Sequence, residues 1–293
     1  MLRDPASTLI LDEVDWTDRR RRHRARVEAV IEPIVARRAA GKPHPVHDFL
    51  FTYYSYRPTQ LRRWHPGFGV ALAGDSAHDY LRYGGYTAVD RVVSVGDEML
   101  EKRLPTVRFI HDLLRATASR SPNLGCFGLH EWAMVYRADD DIRHEQVPLR
   151  LGRAGTDAVV ESMNLRCTHY DAFRFFTADA VPRNALPLDR ADQIDREQPG
   201  CLHAGMDLYK WAYKLAPLVD SEFIMDCFEH ALRARELDMR ASPYDLADHG
   251  YPPIAIETPA GRAEYVRRQT ELADLASHLR TRLAERCSAL LQT

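Results

Sequence analysis

Lysine is scarce in this sequence: of forty basic side chains only Lys42, Lys102, Lys210 and Lys214 are lysines. Forty-two acidic residues oppose them, so the net charge is -2 and the isoelectric point about 6.7. That balance excludes a bulk attraction to nucleic acid and leaves only a local basic patch for such a partner. Cysteine is sparse too. Five residues at irregular spacing exclude a disulfide framework and agree with a reducing compartment. No apolar run approaches the ~20 residues of a membrane span, and the mean hydropathy is -0.41. The Met1–Pro5 start lacks the apolar stretch of a secretory signal, which predicts a cytoplasmic protein with no membrane partner. At 45% hydrophobic and 28% charged residues, the composition is that of a folded globular chain, not a disordered one.

What remains is mostly helical text. Val27, Val30, Ile31 and Ile34 form an apolar stripe that predicts a helix from about Thr17 to a terminating Gly41, with Pro33 inside it. Its first turns carry Arg19–Arg22, Arg24 and Arg26, which read as a solvated face or as a phosphate-contacting patch. Strand-like text is confined to residues 68–96, broken by Gly84 and Gly85. Helices follow from Asp97 and again after Pro105, then over about 203–216 and 220–240. A last one has Thr258 as N-cap and Pro259 at its first position, and runs to about Leu291. The acidic, proline-containing stretch 177–200 reads as a long loop, of the kind that serves as a lid or binding segment. No repeat and no convincing linker divides the chain. The expectation is a mainly α fold, a single α-rich domain over residues 1–293 with a small β element.

Three segments stand out: Cys126-Phe-Gly-Leu-His130-Glu131, Cys167-Thr-His169-Tyr-Asp171 and Cys201-Leu-His203-Ala-Gly-Met-Asp207. Each sets a cysteine one to three residues before a histidine, with a carboxylate close behind. About 0.2 Cys-x-His pairs are expected by chance, and two occur. Histidine and carboxylate side chains ligate Fe, Mn or Zn, and they also serve as acid and base. His203 and Asp207, four apart, share one face of a predicted helix with Lys210 and Lys214, while Leu208, Trp211, Ala212 and Leu215 form the other. A solvated polar face has that same pattern. The shared wording predicts that the three segments converge on one pocket. The cysteines read as small buried residues rather than ligands. No zinc-finger spacing, phosphate loop or dinucleotide fingerprint is present.

Longer phrases carry a resemblance. HPVHDFLFTYYSYRP, LRRWHPG, GCFGLHEWAMVYR, LRCTHYDAFRFF, PGCLHAGMDLYKWAYKL and RELDMRASPYDL resemble a largely actinobacterial family commonly called 3-methyladenine DNA glycosylase, from about Asp4 to the last helix. The resemblance implies DNA repair by release of an alkylated purine, with DNA as the partner. It assigns no catalytic residue, since neither a helix-hairpin-helix nor the pattern of the helical-repeat glycosylases is found in the chain. Chemistry suggests roles instead. A flipped cationic base suits stacked aromatics, here Trp132, Tyr170, Phe173 and Trp211, with Arg240 beside them. Asp171 and Asp207 are the carboxylates suited to a positively charged sugar, and Lys210 or Lys214 the amine for a Schiff base.

The residues alone point equally to another class: a metal-dependent oxidoreductase or hydrolase acting on a small molecule, its Fe, Mn or Zn ion held by His130, Glu131, His169 and His203 with Asp171 and Asp207 nearby. A non-catalytic ligand-binding protein is the third reading.

Overall fold

The computed structural model describes residues 8–138 and 147–293, so the Met1–Pro5 segment lies outside them. The fold is mainly α with a small β element. In chain order its elements are β1 (Leu9–Leu11), α1 (Glu13–Ala39), α2 (Phe49–Thr52), α3 (Pro58–Leu61), β2 (Val70–Ala73), β3 (Tyr86–Val89), β4 (Val92–Val95) and α4 (Asp97–Ala118). Then come α5 (Leu129–Ala133), α6 (Gly152–Ser162), α7 (Tyr170–Phe173), α8 (Gln193–Arg196), α9 (Leu202–Lys214), α10 (Ser221–Arg240) and α11 (Pro259–Leu291).

Several boundaries differ from the sequence expectation for local reasons. Helix α1 starts earlier than Thr17 because the Asp12 side chain caps it, accepting from the Asp15 amide at 2.9 Å. That adds Trp16 to the core, where its indole N–H donates to the Ala73 carbonyl at 2.9 Å and ties α1 to β2. At the far end Gly41, at φ +68°, gives a Schellman close: its amide bonds Arg38 and that of Lys42 bonds Arg37. The expected break at Pro105 is absent, and α4 runs through it as α1 runs through Pro33. Both prolines lie on exposed faces, so water can reach the carbonyl that each leaves without an amide partner. The sheet is larger than residues 68–96, because β1 pairs in parallel with β2 and gives the order β1-β2-β4-β3. The stretch 177–200 is not bare loop: it holds short 3-10 turns and α8.

The main hydrophobic core runs from Trp16 in α1 to Leu290 in α11. Helix α9 is its axis, packed against α10 and α11, with α11 also lying along α4. Gly205 permits that close approach: a Cβ there would meet His230 Nε2 at 3.1 Å and Ala276 at 3.4 Å. Every residue of α9 except Lys214 is buried. The solvated polar face therefore does not exist, and His203, Asp207 and Lys210 point into the protein. Burying such groups costs several kcal/mol apiece unless each finds a partner. What they meet defines the site.

Candidate functional site

Four short stretches carry the polar face of α9 and its surroundings. Helix α5 brings His130 and Glu131, the start of α7 brings His169 and Asp171, α9 brings His203, Asp207 and Lys210, and the last turns of α10 bring Arg235 and Asp238. The three histidines converge as expected. The His203 ring lies 4.4 Å from that of His130, edge to face, and 5.4 Å from that of His169, nearly parallel to it. Two buried triads result, His130 with His203 and Asp238, and His169 with Glu197 and Asp207. Within each the donor atoms all lie within 4.8 Å of one another.

Each triad is braced from outside. His130 Nε2 meets Asp238 Oδ1 at 2.7 Å, and the other Asp238 oxygen accepts from Arg235 at 2.8 Å. Arg235 also donates to Glu131 at 2.7 Å and lies over the Phe49 ring at 4.0 Å. In the second triad His169 Nε2 meets Asp207 Oδ2 at 3.2 Å and Glu197 Oε1 at 3.5 Å. Tyr54 donates to Asp207 Oδ1 at 3.1 Å, and Gln193 donates to Glu197 at 2.6 Å. Lys210 bridges Asp207 and, at 2.9 Å, Asp171. The aromatic segment from Phe49 to Tyr54 thus supports the charged layer. The cysteines sit behind the histidines: Cys126 Sγ is 3.8 Å from His130 Nδ1, and the Cys167 thiol donates to the His169 carbonyl.

Electrostatics divide the histidines. Burial opposes protonation of His130, yet the Asp238 carboxylate outweighs it and carries the ring well above the usual imidazole value. His169 is raised too, because Asp207 and Glu197 outweigh the same burial. His203 goes the other way, pushed well below by burial and by its neighbour His130. Burial also works against ionising Asp207 and Asp238. Lys210 with His169 lowers the first nevertheless, and His130 with His203 lowers the second. Glu197 is raised by burial. Glu131, Glu197, Asp207 and Asp238 are all buried, and among the described residues only Lys210 and Arg235 are lysine or arginine partners in ion-pair contact with them. Two negative charges stay uncompensated unless protons on histidine, or a bound cation, offset them.

The remaining expected site residues divide. Trp211 lies beside Lys210 and Lys214, whose Nζ atoms are 4.4 and 5.1 Å from its ring. Tyr170 is half-buried under Arg190. Asp171 marks the edge of the cluster, its side chain 14% exposed, with Arg174 at 3.3 Å and Arg190 at 3.6 Å. Phe173 is buried against Phe176. Trp132 is core, its indole N–H donating to Ala241. Arg240 donates to the Pro252 carbonyl and pairs with Glu236. Glu131 is taken up by Arg235 instead of joining a triad.

Sequence reasoning missed Glu197, Arg235 and Asp238. Phe228, Ala231, Arg235 and Asp238 recur at helical spacing on one buried stripe of α10, so two charges on a core stripe were the available signal. Glu197 lies beyond the end of α8 and had none. Comparison with protein-family models, curated proteins and solved structures gives no match.

Proposed function

We propose that the protein is a metal-dependent enzyme acting on a small molecule, with its metal held by His130, His203 and Asp238. The observation that carries this reading is that triad: two imidazoles and one carboxylate, buried, with donor atoms within 4.8 Å. Two histidines and a carboxylate suit iron in oxidative sites and zinc in hydrolytic ones, because three protein ligands leave positions open for water or substrate. Arg235 on the far Asp238 oxygen and Cys126 behind His130 fix the two ligands in orientation. When bound there, the metal would supply a Lewis acid and an activated water. The chain's own groups then position the substrate. Asp171, Lys210, Arg174 and Arg190 form the edge of the cluster, and their excess of cations favours an acidic molecule there.

The DNA glycosylase reading needs a basic face, and the arginines at the start of α1, Arg20 over the Trp16 ring apart, already meet carboxylates. Arg19 pairs with Glu222, Arg21 and Arg22 with Asp18, Arg24 with Glu28, and Arg26 with Asp226 and Glu229. The metal reading is therefore preferred. Elemental analysis of protein purified without chelator tests it: stoichiometric Fe, Mn or Zn is expected, with one ion per chain lost in His203→Ala. Protein that neither co-purifies with metal nor takes up Fe(II), Mn(II) or Zn(II) ends the proposal. Release of 3-methyladenine from methylated duplex by the metal-free chain would put the glycosylase in its place.

A further inference from the structure

We infer that the centre is binuclear: a second divalent cation binds at His169, Glu197 and Asp207, adjoining the first. This rests on the reading of His130, His203 and Asp238 as a metal site. The second triad is built as the first is. A histidine from a short helix start faces carboxylates, and each carboxylate is held by one oxygen while the same or the other turns to the imidazole. Tyr54 holds Asp207 Oδ1, while Oδ2 faces both His169 and the Lys210 ammonium, and Gln193 holds Glu197. Donors about 2.0–2.2 Å from one ion, at tetrahedral to octahedral angles, stand roughly 3–3.5 Å apart. The separations of His169 Nε2 from Asp207 Oδ2 and Glu197 Oε1 are 3.2 and 3.5 Å.

A further observation points the same way. His203 is more than nine-tenths buried and sits between the other two rings, yet its ring has no hydrogen-bond partner among the described residues. A buried imidazole in that condition wants a ligand. Lys210, now on Asp207 and Asp171, retains Asp171 as its partner when a cation takes the Asp207 oxygen. Neighbouring divalent ions held by these residues would supply a clamp on the attacking and leaving oxygens of a displacement. The donor set of three imidazoles and three carboxylates is hard to borderline, suited to Fe, Mn or Zn.

Titration of metal-free, full-length protein with Mn(II), Fe(II) or Zn(II), followed by desalting and elemental analysis, decides the matter. About two ions per chain are expected, falling to about one in Glu197→Gln and in Asp238→Asn, and to none when the two are combined. His169→Asn serves as a second probe should Glu197→Gln misfold, with circular dichroism as the folding check. With Mn(II), magnetic coupling is expected to broaden the wild-type resonance, and a resolved six-line signal is expected in either single variant. One ion per chain, lost in Asp238→Asn and kept in Glu197→Gln and His169→Asn, overturns the second site and leaves the proposed function standing. No ion at all overturns both. Two ions retained in Glu197→Gln and His169→Asn place the second ion elsewhere and also overturn the inference.

Discussion

Helix α10 carries charge on two of its faces, and the faces are built differently. Toward α1 it presents Glu222, Asp226 and Glu229, each met by an arginine: Arg19, Arg26 and, from α11, Arg282. These pairs are part-exposed and close to one to one. Toward α5 and α9 it presents Arg235 and Asp238, both fully buried, in a layer whose carboxylates outnumber their cations. The histidines divide the same way. His23 and His65, on the α1 side, hydrogen-bond a carbonyl and a phenol, and burial lowers both. His130 and His169 face carboxylates and are raised despite burial. Balanced, solvent-edged pairs are what a chain uses to hold helices in register, at little cost. An unbalanced buried set is expensive to fold, and a binding function accounts for its presence.

The contrast breaks most visibly at Arg235. Replacing it by Met leaves Glu131 and Asp238 buried without their guanidinium, and loss of one partner of a buried ion pair costs about 3–5 kcal/mol. Urea unfolding of metal-free Arg235→Met at pH 7 is expected to show a loss of that size. A loss below about 1 kcal/mol, the range of surface pairs, would mean that the layer is no more demanding than the α1 face.

Metal is the next lever. An ion that binds only the folded chain, at a hundred times its Kd, stabilises by about 2.7 kcal/mol. Thermal unfolding should therefore shift upward by several degrees on adding the cognate metal to the stripped protein. The shift should be smaller in His203→Ala, which leaves the His169, Glu197 and Asp207 set in place, and remain intact in variants of the α1 face. Equal shifts in wild type and His203→Ala would locate the metal elsewhere.

Much of this layout was legible in the text. The N-cap at Thr258 and the convergence of His130, His169 and His203 follow from cap chemistry and repeated wording. The face of α9 was not. An amphipathic pattern reports which residues differ in polarity, and says nothing about whether the polar side meets water or other buried polar groups. For α9 that second surface comes from α5, α7 and α10, distant in sequence. Glu197 was invisible because it stands in irregular chain with no period to violate. The β1 strand was too short to announce itself, and only its pairing with Val70–Leu72 makes it one.

Acid should expose the histidine contrast more weakly. His65 is lowered to about 4 by burial first, then by Arg63 and His23. Its unfolded value is near 6.5, so as pH falls the unfolded chain takes up the proton first. His65 therefore contributes stability that is whole above about pH 6.5 and is lost progressively down to about pH 4. On the order of 1–3 kcal/mol is at stake, at 1.36 kcal/mol for each unit of difference. His65→Gln cannot titrate. The stability gap between wild type and His65→Gln should shift in favour of the variant between pH 7 and pH 4.5. A gap that stays constant would show that this histidine titrates alike in the folded and the unfolded chain, with no lowering by burial.

The smallest effect is expected at Arg26, and it tests the other half of the comparison. Its guanidinium makes two 2.9 Å bonds to Glu229 and one to Asp226, a geometry at the favourable end for an ion pair. Yet its side chain is 37% exposed, so water and salt can screen the pair, and such pairs contribute about 0–1 kcal/mol. Asp226 also keeps Arg282 at 2.9 Å when Arg26 is removed, so no carboxylate is stranded in the core. Arg26→Ala should therefore cost less than about 1 kcal/mol in urea unfolding, with most of the loss gone in 1 M salt, where the screening length falls to about 3 Å. Its metal content should equal that of the wild type. A salt-insensitive loss above 2 kcal/mol would show that the α1 face shares the strain of the buried layer, and the distinction between paired and unbalanced charge would no longer mark where the chemistry lies.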